Sequence, residues 1–178
     1  MSTLTPGNYE IDAAHSNLTF SVRHAGVARV RGSMAVFSGN FTVADPIEQS
    51  ETTVRIDSAS VDTGNAQRDE HLRTADFWNA EQNPEWTFVS KSVSGDTNDL
   101  TVGGELTINN VTQPVTLSAE LDGIGQGPEG EIRAAFAGTT SISRKDFGLS
   151  WNVALEGGGV LVSDKVNIEL EVVGILQK

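Results

Sequence analysis

The chain has 178 residues, of which 38% are hydrophobic, and a formal net charge of −12 at pH 7. This length fits one domain spanning residues 1–178, and so acidic a chain has no general attraction for nucleic acid or for an anionic lipid surface. The absence of cysteine excludes disulfides, thiolate metal ligands and cysteine nucleophiles.

Apolar and polar residues alternate with period two along most of the chain. The clearest segments are 18–22, 35–43, 100–108, 115–121, 132–138 and 166–172, and shorter ones are centred on Val54 with Ile56 and on Trp86 with Phe88. Such alternation is typical of antiparallel strands that bury one face. The sequence therefore predicts about eight antiparallel strands.

One segment departs from this pattern. Residues 65–79 are mostly helix formers, and their apolar members share one narrow face: Ala66, Leu72, Ala75 and Trp78. Thr63 or Asn65 is placed to cap the first turn. We expect one short helix here, lying across one mouth of the strand assembly.

Turn-forming residues connect the later strands. Residues 95–99, 109–110 and 125–130 have the composition of hairpin connections, which predicts a meander after residue 85. The glycine-rich segment 156–159 predicts a flexible loop near the rim. A barrel and a two-sheet sandwich both satisfy this pattern, and a barrel of about eight strands is wide enough for a small ligand.

Five small residues fall on the inward faces of the predicted strands. They are Gly39, Gly104, Ala119, Ala134 and Gly138. They either leave room for a cavity or fit a taper or bend of the sheet.

Three titratable residues are candidates for a ligand site. His24 continues the apolar face of its strand, so it should point inward and either donate to a ligand headgroup or bond to a backbone carbonyl or Asp69. On the helix, Arg68 and His71 either clamp a headgroup or serve structure, with Arg68 paired to a carboxylate such as Asp146.

Aromatic residues are scarce, at 6% of the chain. Those most relevant to a cavity or core are Phe77, Trp78, Trp86, Phe88, Phe136, Phe147 and Trp151, and Phe88 and Phe136 are the better cavity candidates. The three histidines lack the short spacing of metal ligands, so we expect no metal. The chain also lacks the Gly-x-Ser-x-Gly elbow of a serine hydrolase.

Several ordered segments resemble the YceI family over nearly the whole chain. They are Ile11–Ser16 followed by Phe20–His24, Val30–Gly32 followed by Phe37–Gly39, Arg68–Leu72 followed by Asp76–Trp78, Gly104–Thr112, and Ser143–Leu149. Asn110 stands where the family usually has glycine, and Ser143 stands where it often has aspartate.

The resemblance implies an all-β fold, a lipocalin-like antiparallel β-barrel of about eight strands with one short helix. It further implies a binding protein, not an enzyme, that holds a polyisoprenoid, quinone-like lipid or related amphiphile for transport, sequestration or stress protection. No other cofactor is expected. The residues expected to contact such a ligand are Phe20, Val22, His24, Phe37, Arg68, His71, Phe77, Trp78, Phe88, Leu106, Phe136, Phe147 and Trp151.

Two alternatives stay open. One is an enzyme acting on such a lipid through His24 and Asp69, and the other is an interaction module with a filled barrel. The amino terminus lacks the features of a signal peptide and no segment is long enough to span a membrane, so we expect a cytoplasmic protein without stable membrane insertion, or an exported one if the natural chain begins earlier. Its edge strands are compatible with a homodimer.

Overall fold

The computed structural model describes residues 3–178, which form eleven strands and one α-helix. The strands are β1 Gly7–Ile11, β2 Asn17–His24, β3 Ala28–Met34, β4 Phe37–Val43, β5 Glu51–Asp57, β6 Val61–Asp62, β7 Glu85–Asp96, β8 Asp99–Ile108, β9 Val111–Gln126, β10 Ile132–Ser143 and β11 Lys165–Leu176. Every predicted strand is present, although the segment predicted from residue 35 begins at Phe37.

Eight of the strands close into an antiparallel barrel, which confirms the predicted fold class. Their order around the barrel is β1, β4, β5, β7, β8, β9, β10 and β11, and β11 pairs again with β1. Strands β7 to β11 follow one another as neighbours, which is the predicted meander. The remaining strands β2, β3 and β6 extend the wall beyond this ring.

The extension is possible because β1 and β2 share one edge of β11. β1 pairs with β11 over Gly174–Leu176, and β2 pairs with it over Asn167–Glu171. Between β1 and β2 a short 3₁₀ turn interrupts the hydrogen-bond ladder. There the buried Ser16 hydroxyl, in place of a backbone carbonyl, accepts a hydrogen bond from the Val173 N–H at 2.9 Å. The barrel is therefore longer along β11 than eight short strands would make it.

The helix α1 spans Ala66–Leu72, so it is shorter than the predicted 65–79. Asn65 caps it by accepting from the Arg68 N–H at 3.0 Å, as predicted for one of the two candidate caps. The helix ends at Leu72 because residues 73–82 fold into successive turns that bring Phe77 and Trp78 into the core. Among the described residues, no helix is long and apolar enough to cross a bilayer.

Aromatic rings close the end of the barrel opposite α1. Tyr9 is fully buried, stacks on Phe41 with ring centroids 5.0 Å apart, and donates its hydroxyl to the Thr5 carbonyl at 2.8 Å. Phe136 contacts Phe41 edge-on at 5.3 Å. We call Tyr9, Phe41 and Phe136 the aromatic plug.

The inward glycines do not all leave empty space. A Cβ at Gly104 would lie 2.5 Å from the ring of Phe88, so the missing side chain is what lets Phe88 lie flat against β8. Ala134 is buried beside Tyr9 in the cluster around the plug. Of the five predicted small residues, Ala119 lines the apolar space inside the barrel.

Candidate functional site

The barrel interior holds two apolar cavities. The far-end cavity has a volume of about 210 Å³ and lies between the plug and the middle of the barrel. Its wall includes Phe88, Val102, Leu117 and Phe136, and Ile47 covers it from the 3₁₀ segment Ile47–Gln49. These side chains come from alternate positions of the strands, as the period-two pattern requires.

The helix-end cavity has a volume of about 260 Å³ and lies below α1. Its wall is mostly apolar, and it carries the polar side chains Thr19, His24, Thr63, Arg68, His71 and Arg144. Its wall has two arginines and no carboxylate, although the whole chain has twice as many acidic as basic residues. The mouth at this end is therefore suited to oxygen-rich or anionic groups.

Four residues line both cavities. They are Leu18, Ile56, Leu106 and Ile168, from β2, β5, β8 and β11. These four side chains form a constriction between the two spaces. A chain-like ligand that crosses this constriction would occupy both cavities.

The structure brings twelve of the thirteen predicted ligand contacts to these cavities. Nine line the helix-end cavity: Phe20, Val22, His24, Arg68, His71, Phe77, Trp78, Leu106 and Trp151. Phe37, Phe88 and Phe136 line the far-end cavity, which Leu106 also borders. Phe147 lines neither, because the 3₁₀ segment Arg144–Phe147 interrupts the strand alternation and places the ring in the packed core.

His24 and His71 have different surroundings at the helix end. His24 faces the cavity, and no side-chain hydrogen bond of its ring is found within residues 3–178; the predicted contact with Asp69 is not formed. His71 lies 2.9 Å from the Asp76 carboxylate and packs edge-on against Phe77 and Trp151. His24 therefore keeps its imidazole available to a ligand, whereas His71 is oriented by its neighbours.

The ion pair between Arg68 and Asp146, which was one of the expected roles of Arg68, is not formed. Its Nε donates to Thr63 Oγ1 at 2.7 Å and its Nη2 to the Thr63 carbonyl at 2.8 Å. The buried Asp69 carboxylate accepts from the Thr63 backbone N–H at 2.9 Å and from its hydroxyl. Thr63 thus holds the guanidinium at the cavity wall, and the Asp69 carboxylate is bound to Thr63 and not to His24.

Arg144 is a functional residue that the sequence analysis did not select. It is 4% exposed, and its guanidinium donates to the carbonyls of Leu149, Trp151, Val162 and Ser163 at 2.6–3.2 Å. Burial lowers the pKa of this guanidinium. Arg144 thereby ties the loop of residues 149–163 to the barrel as one wall of the helix-end cavity.

Asp164 holds the other side of the same loop. Its carboxylate accepts from the Ser143 hydroxyl at 2.5 Å and from the Lys145 N–H at 3.0 Å, and the hydrogen bond from Ser143 lowers the pKa of this carboxyl. A folded-state pKa below the unfolded value of about 3.9 adds stability above that pH, and the gain is lost as the pH falls through the lower folded value.

Replacing Asp164 with asparagine should therefore destabilise the protein by about 1 kcal/mol at pH 7, a low value because the site is partly exposed. The difference between wild type and variant should shrink as the pH falls below about 4. Urea unfolding of both proteins at a series of pH values measures this difference. A difference that stays constant with pH would contradict the role given to the carboxylate.

No group of three or more histidine, aspartate or glutamate side chains that could hold a metal ion occurs in residues 3–178. His15 lies 2.7 Å from Asp12 in the turn between β1 and β2. The indole N–H groups of Trp78 and Trp86 are buried without a hydrogen-bond partner in the described chain. The site is thus a pair of adjoining apolar cavities with a few polar groups at one end.

Comparisons with known proteins agree with this architecture. The YceI-like domain matches residues 9–174. Protein YceI of Escherichia coli O17:K52:H18 is 39% identical over 96% of this chain and 88% of its own length, and a UPF0312 protein of Shewanella baltica is 38% identical over 94% and 87%.

Solved structures give the same result at the level of the fold. The YceI protein of Campylobacter jejuni superposes with a TM-score of 0.75 at 28% identity, and each chain is fully covered. A polyisoprenoid binding domain from Saccharophagus degradans superposes with a TM-score of 0.69 at 18% identity, over 95% of this chain and 98% of that domain. From the domain match and the identity to its relatives, the chain belongs to the YceI-like family.

Proposed function

We propose that this protein binds one long-chain apolar lipid inside the barrel, of polyisoprenoid or quinone type, and carries or sequesters it. The observation that carries the proposal is the pair of apolar cavities that lie end to end and share four lining residues. An extended chain fits such a pair of cavities, and each methylene group removed from water contributes about 0.8 kcal/mol. The polyisoprenoid binding domain of Saccharophagus degradans, which shares the fold, supports this choice of ligand.

The polar groups favour one orientation of the lipid. Arg68 and His24 stand at the helix end, whereas the far end is closed by aromatic rings. A phosphate, carboxylate or quinone oxygen placed at the helix end would accept hydrogen bonds from these side chains. The tail would then run past Leu18 and Leu106 toward the plug.

Binding without catalysis is the simpler use of this site. Asp69 is bound to Thr63 and does not reach His24, so the His24–Asp69 pair that an enzyme was expected to use is not formed. The interior is not filled, which disfavours the alternative of a plain interaction module. The pair of cavities is accordingly the feature to test.

All three tryptophans of the chain, Trp78, Trp86 and Trp151, line the helix-end cavity. Titration with a long-chain quinone should therefore quench most of the intrinsic fluorescence, with one lipid bound per chain. Native mass spectrometry of the purified protein, followed by organic extraction, should identify the bound lipid class. Geraniol, a short prenyl alcohol, serves as the control and should bind far more weakly than a long polyprenyl alcohol.

Failure of polyprenyl alcohols, quinones and fatty acids to bind, with a clean mass for the unliganded chain, would overturn the proposal. Turnover of an added lipid by wild type, lost in His24→Ala with binding unchanged, would instead favour an enzyme.

A further inference from the structure

The end of the barrel that carries the helix-end cavity also exposes apolar side chains to solvent. Val27 at the tip of the β2–β3 hairpin is 83% exposed, and Val153 and Val160 in the neighbouring loop are 44% and 48% exposed. These are three of only five large hydrophobic residues that are exposed in the described chain. We call Val27, Val153 and Val160 the apolar rim.

The two parts of the apolar rim are held together by backbone hydrogen bonds. The Ala25 N–H donates to the Leu161 carbonyl at 2.7 Å, and His24 forms a bridge with Val162. Ala25 and Gly26 both have positive φ, 53° and 70°, which makes the tight turn that presents Val27. The left-handed conformation is unfavourable for an alanine, so the turn is maintained by its tertiary contacts.

The same hairpin carries a cluster of exposed arginines. Arg23 and Arg29 lie directly opposite each other in the β2–β3 register, and Arg31 faces Ser21. They project from the outer face, whereas Val22 and His24 line the cavity. None of the five ion pairs found between residues 3 and 178 involves these arginines.

Such an arrangement costs stability, because like charges on directly opposed residues repel each other. The sequence around it contains no compensation, since residues 13–44 include no aspartate or glutamate. Asp62 and Glu169 border the same outer face but form no ion pair with the cluster. We call Arg23, Arg29 and Arg31 the arginine cluster.

We propose that this end of the barrel docks on an anionic phospholipid bilayer, with the apolar rim inserted among the headgroups and the arginine cluster on lipid phosphates. Charge complementarity selects this partner: unpaired arginines beside exposed apolar tips match the two components of a lipid surface. Docking places the mouth of the helix-end cavity against the bilayer. In this respect the inference rests on the proposed function, because an apolar lipid exchanged with a membrane would pass through that mouth.

The net charge of −12 does not prevent this contact. Electrostatic forces in physiological salt fall off over about 8 Å. β11, with 12 residues at about 3.3 Å each, runs roughly 40 Å along the barrel, and acidic residues such as Asp96, Asp99 and Glu129 lie toward its other end. At this end the exposed Glu156 lies in the loop between Val153 and Val160, and the three arginines of the hairpin outnumber it.

Cosedimentation of the full chain with lipid vesicles tests the proposal. We expect binding to vesicles of phosphatidylcholine mixed with phosphatidylglycerol, weak binding to phosphatidylcholine alone, and a loss of binding as salt is raised. Replacing the three arginines of the cluster with glutamine should lower the partition coefficient about a hundredfold, because each basic residue near such a surface contributes about one factor of five. Val27→Ser should lower it about tenfold.

Matched controls distinguish an effect of the arginine cluster and the apolar rim from an effect of the overall net charge. The triple variant Arg55→Gln, Lys91→Gln and Lys178→Gln changes the charge equally elsewhere on the exposed surface, and Val36→Ser removes an exposed valine away from the apolar rim. Both controls should bind vesicles as tightly as wild type or nearly so. Equal losses in the control and cluster variants would overturn the proposal.

Three further outcomes would also overturn it: no binding to anionic vesicles, equal binding to neutral ones, or arginine-dependent retention of poly-glutamate without vesicle binding, which would indicate an acidic protein partner instead. Tryptophan quenching by a long-chain quinone in solution is measured on the same variants. Quenching that persists while vesicle binding fails refutes the docking surface and leaves lipid binding intact. Loss of quenching in wild type refutes lipid binding whatever the vesicles show.

Discussion

Replacing Leu18 with phenylalanine should lower the affinity for a long polyprenyl lipid by about two orders of magnitude. Leu18 lines both cavities and is only half-buried, so a larger side chain there extends into the constriction. A tail stopped at the constriction loses its contacts with the far-end cavity. Four methylene groups left outside correspond to about 3 kcal/mol, which is roughly a hundredfold in Kd.

Quinones of increasing tail length, measured by tryptophan quenching, provide the comparison. A short-tailed quinone that fits the helix-end cavity should bind wild type and Leu18→Phe equally. Leu18→Ala, which widens the constriction, should bind the long lipid at least as tightly as wild type. If Leu18→Phe binds long and short tails with unchanged affinity, the ligand does not cross the constriction.

Replacing Arg144 with methionine should destabilise the fold by on the order of 4 kcal/mol. Methionine fills part of the space but donates no hydrogen bond, so four loop carbonyls lose the guanidinium that now satisfies them. A buried acceptor left unpaired costs about 1–3 kcal/mol. Urea unfolding measures the change in the free energy of unfolding.

Arg144→Lys should recover only part of the loss, because a lysine ammonium cannot span the four carbonyls as a planar guanidinium does. Arg55→Met, at an exposed position, should change stability by less than about 0.5 kcal/mol. Hydrogen exchange in residues 149–163 should accelerate in Arg144→Met more than in the meander strands. A loss below 1 kcal/mol, with exchange in the loop unchanged, would show that the loop is held by other contacts.

Alternation of apolar and polar residues was sufficient to predict most of the barrel wall. In β2, β8 and β11 the pleat fixes which side chains point inward, so inward positions such as Val22 and Leu106 follow directly from the sequence. β1, β3 and β6 were missed. β1 and β6 have five and two residues, which are too few to establish a period, and in β3 Gly32 interrupts the apolar alternation between Val30 and Met34. The helix was placed correctly but ended early, since burial of Phe77 and Trp78 overrides local helix preference.

The polar part of the site was less predictable. Arg144 lies in a 3₁₀ turn, where the strand period does not apply, and its partners are backbone carbonyls of a loop, which no pattern of side chains reveals. Of the two roles left open for Arg68, the structural one named a carboxylate partner, but Thr63, five residues earlier, accepts its hydrogen bonds instead. The ordered motif Ser143–Leu149 was the one available signal for Arg144.

The pairing of β1 with β11 places both ends of the chain together. Tyr9, which belongs to the aromatic plug, is paired with Leu176, so β1 begins and β11 ends at the barrel end opposite the helix-end mouth. A purification tag, a fused domain or a surface tether attached to either terminus would therefore leave that mouth unobstructed. Joining the two termini by a short linker and opening the chain in a hairpin turn is likewise compatible with the architecture.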